Sequence, residues 1–240
     1  VAVRFAAGAW LGLAVHRAGL TTYHAHVFDS HFSVRHSMPL AGTPSRTRMS
    51  PDGRLGAFTV FVSGHSYNSP GFSTQTSIID TSNGQPVVTN LETWEVLREG
   101  APIRGADFNF WGVTFTPDSR RFFATLRGGG KLYLVEGDIA ARRMQVVHED
   151  VECPSLSPDG ARIAFKRRAP MDAAGRRIWR VVVLELATRS ETVLDKELRN
   201  VDDQVEWLDN REIIYSLSQD EMQASAGTNL WVELANAMSW

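Results

Sequence analysis

One cysteine in 240 residues, Cys153, excludes an intrachain disulfide framework and any multi-cysteine zinc or iron–sulfur site. Long apolar runs are also missing. The longest, residues 5–15 (FAAGAWLGLAV), has 11 residues, against the roughly 18 needed to read as a membrane span. It follows Arg4, as a secretory signal core would, but Gly8 and Gly12 interrupt it, His16-Arg17 closes it and no small-x-small site follows. A buried strand is the better reading. Neither charge sign dominates: 25 Lys and Arg face 27 Asp and Glu, a formal charge of -2, so no global basic field is available for nucleic acid or an anionic membrane. Finally, no stretch of a dozen residues carries a capped 3.6-residue periodicity; residues 138–144 (DIAARRM) could form one or two turns at most.

What the chain does contain is short and β-like. Segments such as LGAFTVFVS (55–63), RFFATLR (121–127), KLYLV (131–135), RIAFK (162–166), IWRVVVLEL (178–186) and EIIYSL (212–217) are rich in β-branched and aromatic residues. Gly, Pro, Asn and Asp separate them, and that alternation predicts an all-β chain.

An internal repeat organises these strands. Ser50-Pro51-Asp52-Gly53, Thr116-Pro117-Asp118-Ser119 and Ser157-Pro158-Asp159-Gly160 are one tetrad in three copies, and Leu208-Asp209-Asn210 is a degenerate fourth. Pro presets φ at its position, Asp bonds back to the backbone, and Gly takes the left-handed corner, so each tetrad predicts a hairpin. The aspartates are 66, 41 and 50 residues apart, around the period of roughly 40 to 50 expected of four-stranded propeller blades. Turns such as 80–84 (DTSNG) and 187–189 then end the third strand of a blade.

The tetrads, with FWGVTFTPD (110–118), ECPSLSPDG (152–160) and QVEWLD (204–209), resemble the WD40-like "SPDG" repeat of the TolB-like β-propeller family. The likeness covers most of residues 21–235. It implies an all-β propeller of four-stranded antiparallel blades, usually six to a ring. Here residues 1–40 read as strands B to D of a partial blade, 41–107, 108–151 and 152–200 as three blades, and 201–240 as another partial blade. Either an arc of a six-bladed ring, cut short, or a ring that closes with fewer blades is expected, and the Val start and the ELANAMSW end favour the arc. The resemblance also implies a bacterial, extracytoplasmic setting, periplasmic or cell-surface, with a signal or anchor upstream. It leaves function open, because this repeat occurs both in binding proteins and in domains attached to enzymes.

Propeller topology puts the tetrads on one face and the B–C loops and D–A connections on the other. The latter face should gather Arg46, His65, Tyr67, Asp107, Trp111, Glu152, Asp202 and Asp203, with Phe110 beside them. Read functionally, this is an acidic channel mouth with aromatic anchors, able to take a Lys- or Arg-bearing segment of a protein or peptide, or a divalent cation such as Ca²⁺. Read structurally, the carboxylates cap strand starts and pair with Arg46, Arg104 or Arg199, which is the commoner fate of charged loop residues. No cofactor is otherwise implied.

Other constellations are weaker. His24 and His26 share a strand face and His36 on the next strand could approach them, with His31 and Asp29 nearby, as parts for a metal site. Gly64-His65-Ser66-Tyr67-Asn68 lacks the last glycine and the strand-to-helix turn of a nucleophile elbow. Gly128-Gly129-Gly130-Lys131 lacks the spacing and helix of a phosphate loop. Cys153, beside Glu152, has its thiolate disfavoured, and Lys166-Arg167-Arg168 reads as a solvated rim. The expected function is a non-catalytic platform for a protein or peptide. The alternatives are a propeller hydrolase or lyase using His65, Asp107, Glu152, Asp202 and Asp203, or a gating domain for a catalytic domain elsewhere.

Overall fold

A computed structural model describes residues 3–16, 21–67, 71–171, 175, 178–196, 200–201, 203–217 and 233–234. Its contacts divide the chain into two compact units, 1–149 and 150–240. Twenty-one strands form five sheets, and no α-helix occurs among the described residues. The sheets are propeller blades.

In the first unit, β1 (Val3–Ala6), β2 (Ala9–His16), β3 (Thr22–Phe28) and β4 (Val34–Pro39) make an antiparallel meander. Residues 1–40 therefore hold a fourth strand, β1, ahead of the three expected from sequence; its turn, Ala6 to Ala9, uses Ala7 and Gly8 at positive φ instead of a tetrad. The next meander is β5 (Thr43–Met49), β6 (Leu55–Ser63), β7 (Ser73–Asp80) and β8 (Pro86–Val88). A 3-10 turn at Leu91–Thr93, N-capped by Asn90, leads into a hairpin of β9 (Glu95–Arg98) and β10 (Ala101–Ile103).

That hairpin departs from the sequence boundary at residue 107. β9 runs parallel to β14 (Arg143–Glu149) and extends the following meander, β11 (Asn109–Phe115), β12 (Arg121–Gly128), β13 (Lys131–Asp138) and β14, into six strands. The 66-residue gap between the first two tetrads is one blade plus this hairpin. The second unit holds β15 (Glu152–Leu156), β16 (Arg162–Ala169), β17 (Ile178–Glu185) and β18 (Glu191–Val193), then β19 (Glu206–Trp207), β20 (Ile213–Tyr215) and β21 (Glu233–Leu234).

The tetrads repeat their chemistry atom for atom. Ser50 Oγ donates to Asp52 Oδ1 at 2.6 Å and accepts from Leu55 N–H at 2.9 Å, while Asp52 Oδ1 accepts from Arg54 N–H at 3.1 Å. Thr116, Asp118, Arg120 and Arg121 make the same set, as do Ser157, Asp159, Ala161 and Arg162. The corner residue has positive φ in each: Gly53, Ser119 and Gly160. Asp209 does the equivalent work in the degenerate copy by accepting from the N–H groups of Arg211 and Glu212. These bonds satisfy the backbone groups that a two-strand reversal would otherwise leave open.

Each meander is too thin to have a core of its own, so the apolar clusters lie between neighbouring sheets. Leu11, Leu13, Ala25 and Val27 of the first sheet meet Met49, Phe58, Val60 and Ile79 of the second. Ile78 and Val88 meet Phe110, Val113, Phe122 and Met144 of the third. In the second unit, Ala164, Val181 and Val183 meet Trp207, Ile213 and Tyr215. A buried polar seam fixes β7 against β11: the Thr74 N–H donates to Asn109 Oδ1 at 2.7 Å, and Thr76 Oγ1 donates to the Phe110 carbonyl at 2.5 Å.

Candidate functional site

The first strand of three blades carries a bulge a few residues before its tetrad. Register slips between Pro44 and Arg46 in β5, between Trp111 and Thr114 in β11, and between Glu152 and Ser155 in β15. Gly112 and Cys153, four residues before Thr116 and Ser157, both have positive φ, and Arg46 lies four residues before Ser50. A bulge turns one side chain off the pleat, and here the residues at it, Arg46, Trp111 and Glu152, are three of the eight candidates.

In the first unit the bulges of β5 and β11 and the β6–β7 loop build one constellation. β6 spans nine residues, about 30 Å at the usual strand rise, so this loop end is well separated from the tetrad end. Tyr67 stacks on Trp111, with centroids 4.7 Å apart and rings inclined by 30°. The Arg46 guanidinium lies 5.3 Å from the Tyr67 ring centre. Phe72 and Phe61 close the other sides, at 5.6 and 4.7 Å from Tyr67, and the Ser45 and Tyr67 hydroxyls share a 2.5 Å hydrogen bond. Arg127 sits 4.7 Å over Phe72. Trp111 is 1% exposed and its indole N–H has no hydrogen-bond partner among the described residues. Phe61, Phe72 and Trp111 are the buried floor, Arg46, Tyr67 and Arg127 are half-buried, and Val62 and His65 are exposed beside them.

Each described carboxylate of the candidate set is taken up by its own surroundings. Asp107 caps the loop after β12, accepting from Gly129 N–H at 2.8 Å. Glu152 is 3% exposed, and its Oε1 lies 4.0 Å from Lys166 Nζ, which in turn lies 5.0 Å over Trp179. It is half of a buried ion pair, not part of an open mouth. Asp203 accepts from the Gln204 N–H at 2.6 Å and has positive φ. Asp202 lies outside the described residues. No group of three or more His, Cys, Asp or Glu side chains among the described residues is poised around one point. Four residues of the constellation, Ser45, Phe61, Phe72 and Arg127, are not among the candidates that the sequence offers. For Phe72 and Arg127 the available signal was an aromatic directly after the β6–β7 loop and an Arg at the end of the facing strand.

The histidines also regroup. His36 faces the second sheet, its Nε2 3.1 Å from the Ser82 carbonyl, and Asp29 is taken up by Arg35 and by the N–H groups of His31 and Ser33. His16, on the neighbouring strand, is the third ring beside His24 and His26, at 4.9 and 5.8 Å between centroids. Burial, and then repulsion from His16 and His24, lowers the His26 pKa below its ordinary 6.5.

The tetrad carboxylates are shifted down as well. For Asp52 and Asp159 burial pushes upward, but hydrogen bonds from Ser50 and Ser157 and from the backbone outweigh it; for Asp118 the Thr116 hydroxyl is the main cause. Both shifts make the unfolded chain bind more protons than the folded one, so stability falls as pH is lowered. A melting-temperature profile should drop first as pH falls through and below 6.5, where the unfolded chain's His26 takes up its proton. A second drop should come below the ordinary Asp value of 3.8. The His26→Gln variant should flatten the first drop and leave the second.

No protein-family model and no curated protein matches the sequence. Solved structures share the fold. TolB from Acinetobacter baumannii aligns with a TM-score of 0.58 at 18% identity, covering 88% of this chain and 46% of that one. The β-propeller domain of the trilobed protease from Pyrococcus furiosus aligns at 0.52 and 12%, covering 92% and 64%. An oligogalacturonate lyase in complex with manganese aligns at 0.51 and 10%, covering 89% and 57%. The chain therefore spans about half to two thirds of the length of these propeller chains.

Proposed function

We propose that this chain is a non-catalytic β-propeller platform that binds a protein or peptide partner across its loop face, in a bacterial, extracytoplasmic setting. The observation that carries the reading is the stack of Arg46, Tyr67 and Trp111 on a buried aromatic floor. Tyr and Arg held over a desolvated aromatic base are the residue types that concentrate binding energy in protein interfaces. Arg46 and Trp111 are held on strands, and the Trp111 ring and Ser45 hydroxyl fix Tyr67 on its loop, so little ordering entropy is lost on binding. The setting rests on the repeat's family resemblance.

The electrostatics of this end of the first unit favour a partner segment with acidic and apolar residues. Two guanidiniums lie on its rings, Arg46 over Tyr67 and Arg127 over Phe72, and Asp107 is engaged by its own loop. The hydrolase or lyase alternative needs three of His65, Asp107, Glu152, Asp202 and Asp203 around one reacting atom. Asp107 and Glu152 are already committed to Gly129 and Lys166, which weighs against it.

Selection of a random displayed peptide library on the chain supplies the test. Enriched peptides should carry acidic and aromatic residues, and Tyr67→Ala should weaken them by about 30-fold, the equivalent of a hot spot near 2 kcal/mol. Arg120→Ala, on the tetrad end, should leave affinity unchanged. Peptides that bind Tyr67→Ala as tightly as the parent would refute the proposal.

A further inference from the structure

His24 and His26 are two apart on β3 and share a face, and the β2–β3 register sets His16 opposite Thr22, diagonal to His24 on that same face. The residues directly across from His24 and His26 are Ala14 and Gly12, so neither imidazole is hemmed in by a large opposing side chain. The three ring centroids are 4.9, 5.8 and 5.9 Å apart. Three imidazoles on one ion, with metal–nitrogen bonds of about 2.0–2.1 Å and tetrahedral angles, have centroids about 5 Å apart. The observed triangle is close to that size.

We propose that His16, His24 and His26 form a three-nitrogen site for a transition-metal ion of the Zn²⁺ or Cu²⁺ type. The ligand nitrogens are not yet converged, and His24 and His26 lie nearly parallel at 17°, so binding requires the rings to turn about χ2. That torsion is broad in histidine. The Nδ1 atoms of His24 and His26 have no hydrogen-bond partner among the described residues, so turning breaks no bond there. All-imidazole donors select zinc and copper over Ca²⁺ or Mg²⁺, which want oxygen. The nearby carboxylate, Asp29, is engaged by Arg35 and its own turn. Three protein ligands leave a fourth position open to water or a small ligand.

Calorimetric titration of the whole chain with Zn²⁺ at pH 7.5 tests the site. One ion should bind per chain, with a tenfold or greater loss of affinity in His16→Ala and in His24→Ala and no loss in His36→Ala. Zn²⁺-induced shifts of the imidazole protons in the unmodified protein should fall on His16, His24 and His26 and spare His31, His36, His65 and His148, a readout that needs no variant to fold. The proposal is overturned by the absence of a saturable single ion, by undiminished binding in a His16→Ala, His24→Ala double variant, or by shifts centred on the other four histidines.

Discussion

Replacing Glu152 with Ala should destabilise the second unit by about 3–5 kcal/mol, because it strands the Lys166 charge in a buried site. Both side chains are about 5% exposed or less, and their charged atoms are 4.0 Å apart, so solvent screens the pair little. The attraction between such charges roughly offsets their desolvation, and removing one leaves the other's cost unmet. Among the described residues Lys166 then keeps its place over the Trp179 face, and one cation–π contact is worth about 2 kcal/mol when desolvated. Lys166→Ala should cost a similar amount, whereas Glu152→Met with Lys166→Met should recover most of the loss. Denaturant unfolding of the four proteins measures these differences. Unchanged stability in Glu152→Ala, with loss of ligand binding, would return Glu152 to the binding surface.

Phe122→Ala should cost about 3–5 kcal/mol in the first unit, the range for deleting a fully buried aromatic. Phe122 is 0% exposed at the centre of the largest apolar cluster. Its ring packs 5.9 Å from Trp94 and covers Gly137, where a Cβ would collide with it. Trp94 immediately precedes β9, so the cavity should also loosen the hairpin that joins the third blade. Unfolding free energy measures the first effect, and faster amide exchange at Val96 and Leu97 measures the second. A cost under 1 kcal/mol would mean that the ring is not the keystone between β9 and β12.

The repeat was readable because each tetrad is chemically self-contained: Ser or Thr, Asp and the left-handed corner close their own turn through bonds at most five residues long. Strands and blade phase followed from that. The β9–β10 hairpin was not readable, because its assignment depends on pairing with β14, some 48 residues away in sequence. The same limit applied to the candidate site. Asp107 and Glu152 look alike as loop carboxylates in sequence, and only the partners at Gly129 and Lys166 separate a cap from a buried ion pair. Tyr67 and Trp111 were picked as aromatics near the loops, but their stacking depends on bulges that no residue type announces, since Gly112 and Cys153 occupy the same bulge position. His36 looks like the third imidazole in sequence because strand adjacency is visible there and facing is not: the bulge between Val27 and Phe28 changes the β3–β4 register, and β4 turns His36 toward Ser82.

The central claim is that the loop end of the blades, not the tetrad end, is the working surface. Hydrogen exchange of the chain with and without a selected peptide tests it most directly. Protection should concentrate on residues 45–46, 64–67, 71–73 and 109–112, with the tetrad amides at 53–55 and 119–121 unchanged. Protection confined to the tetrads or to β18, with the loop end unaffected, would contradict it.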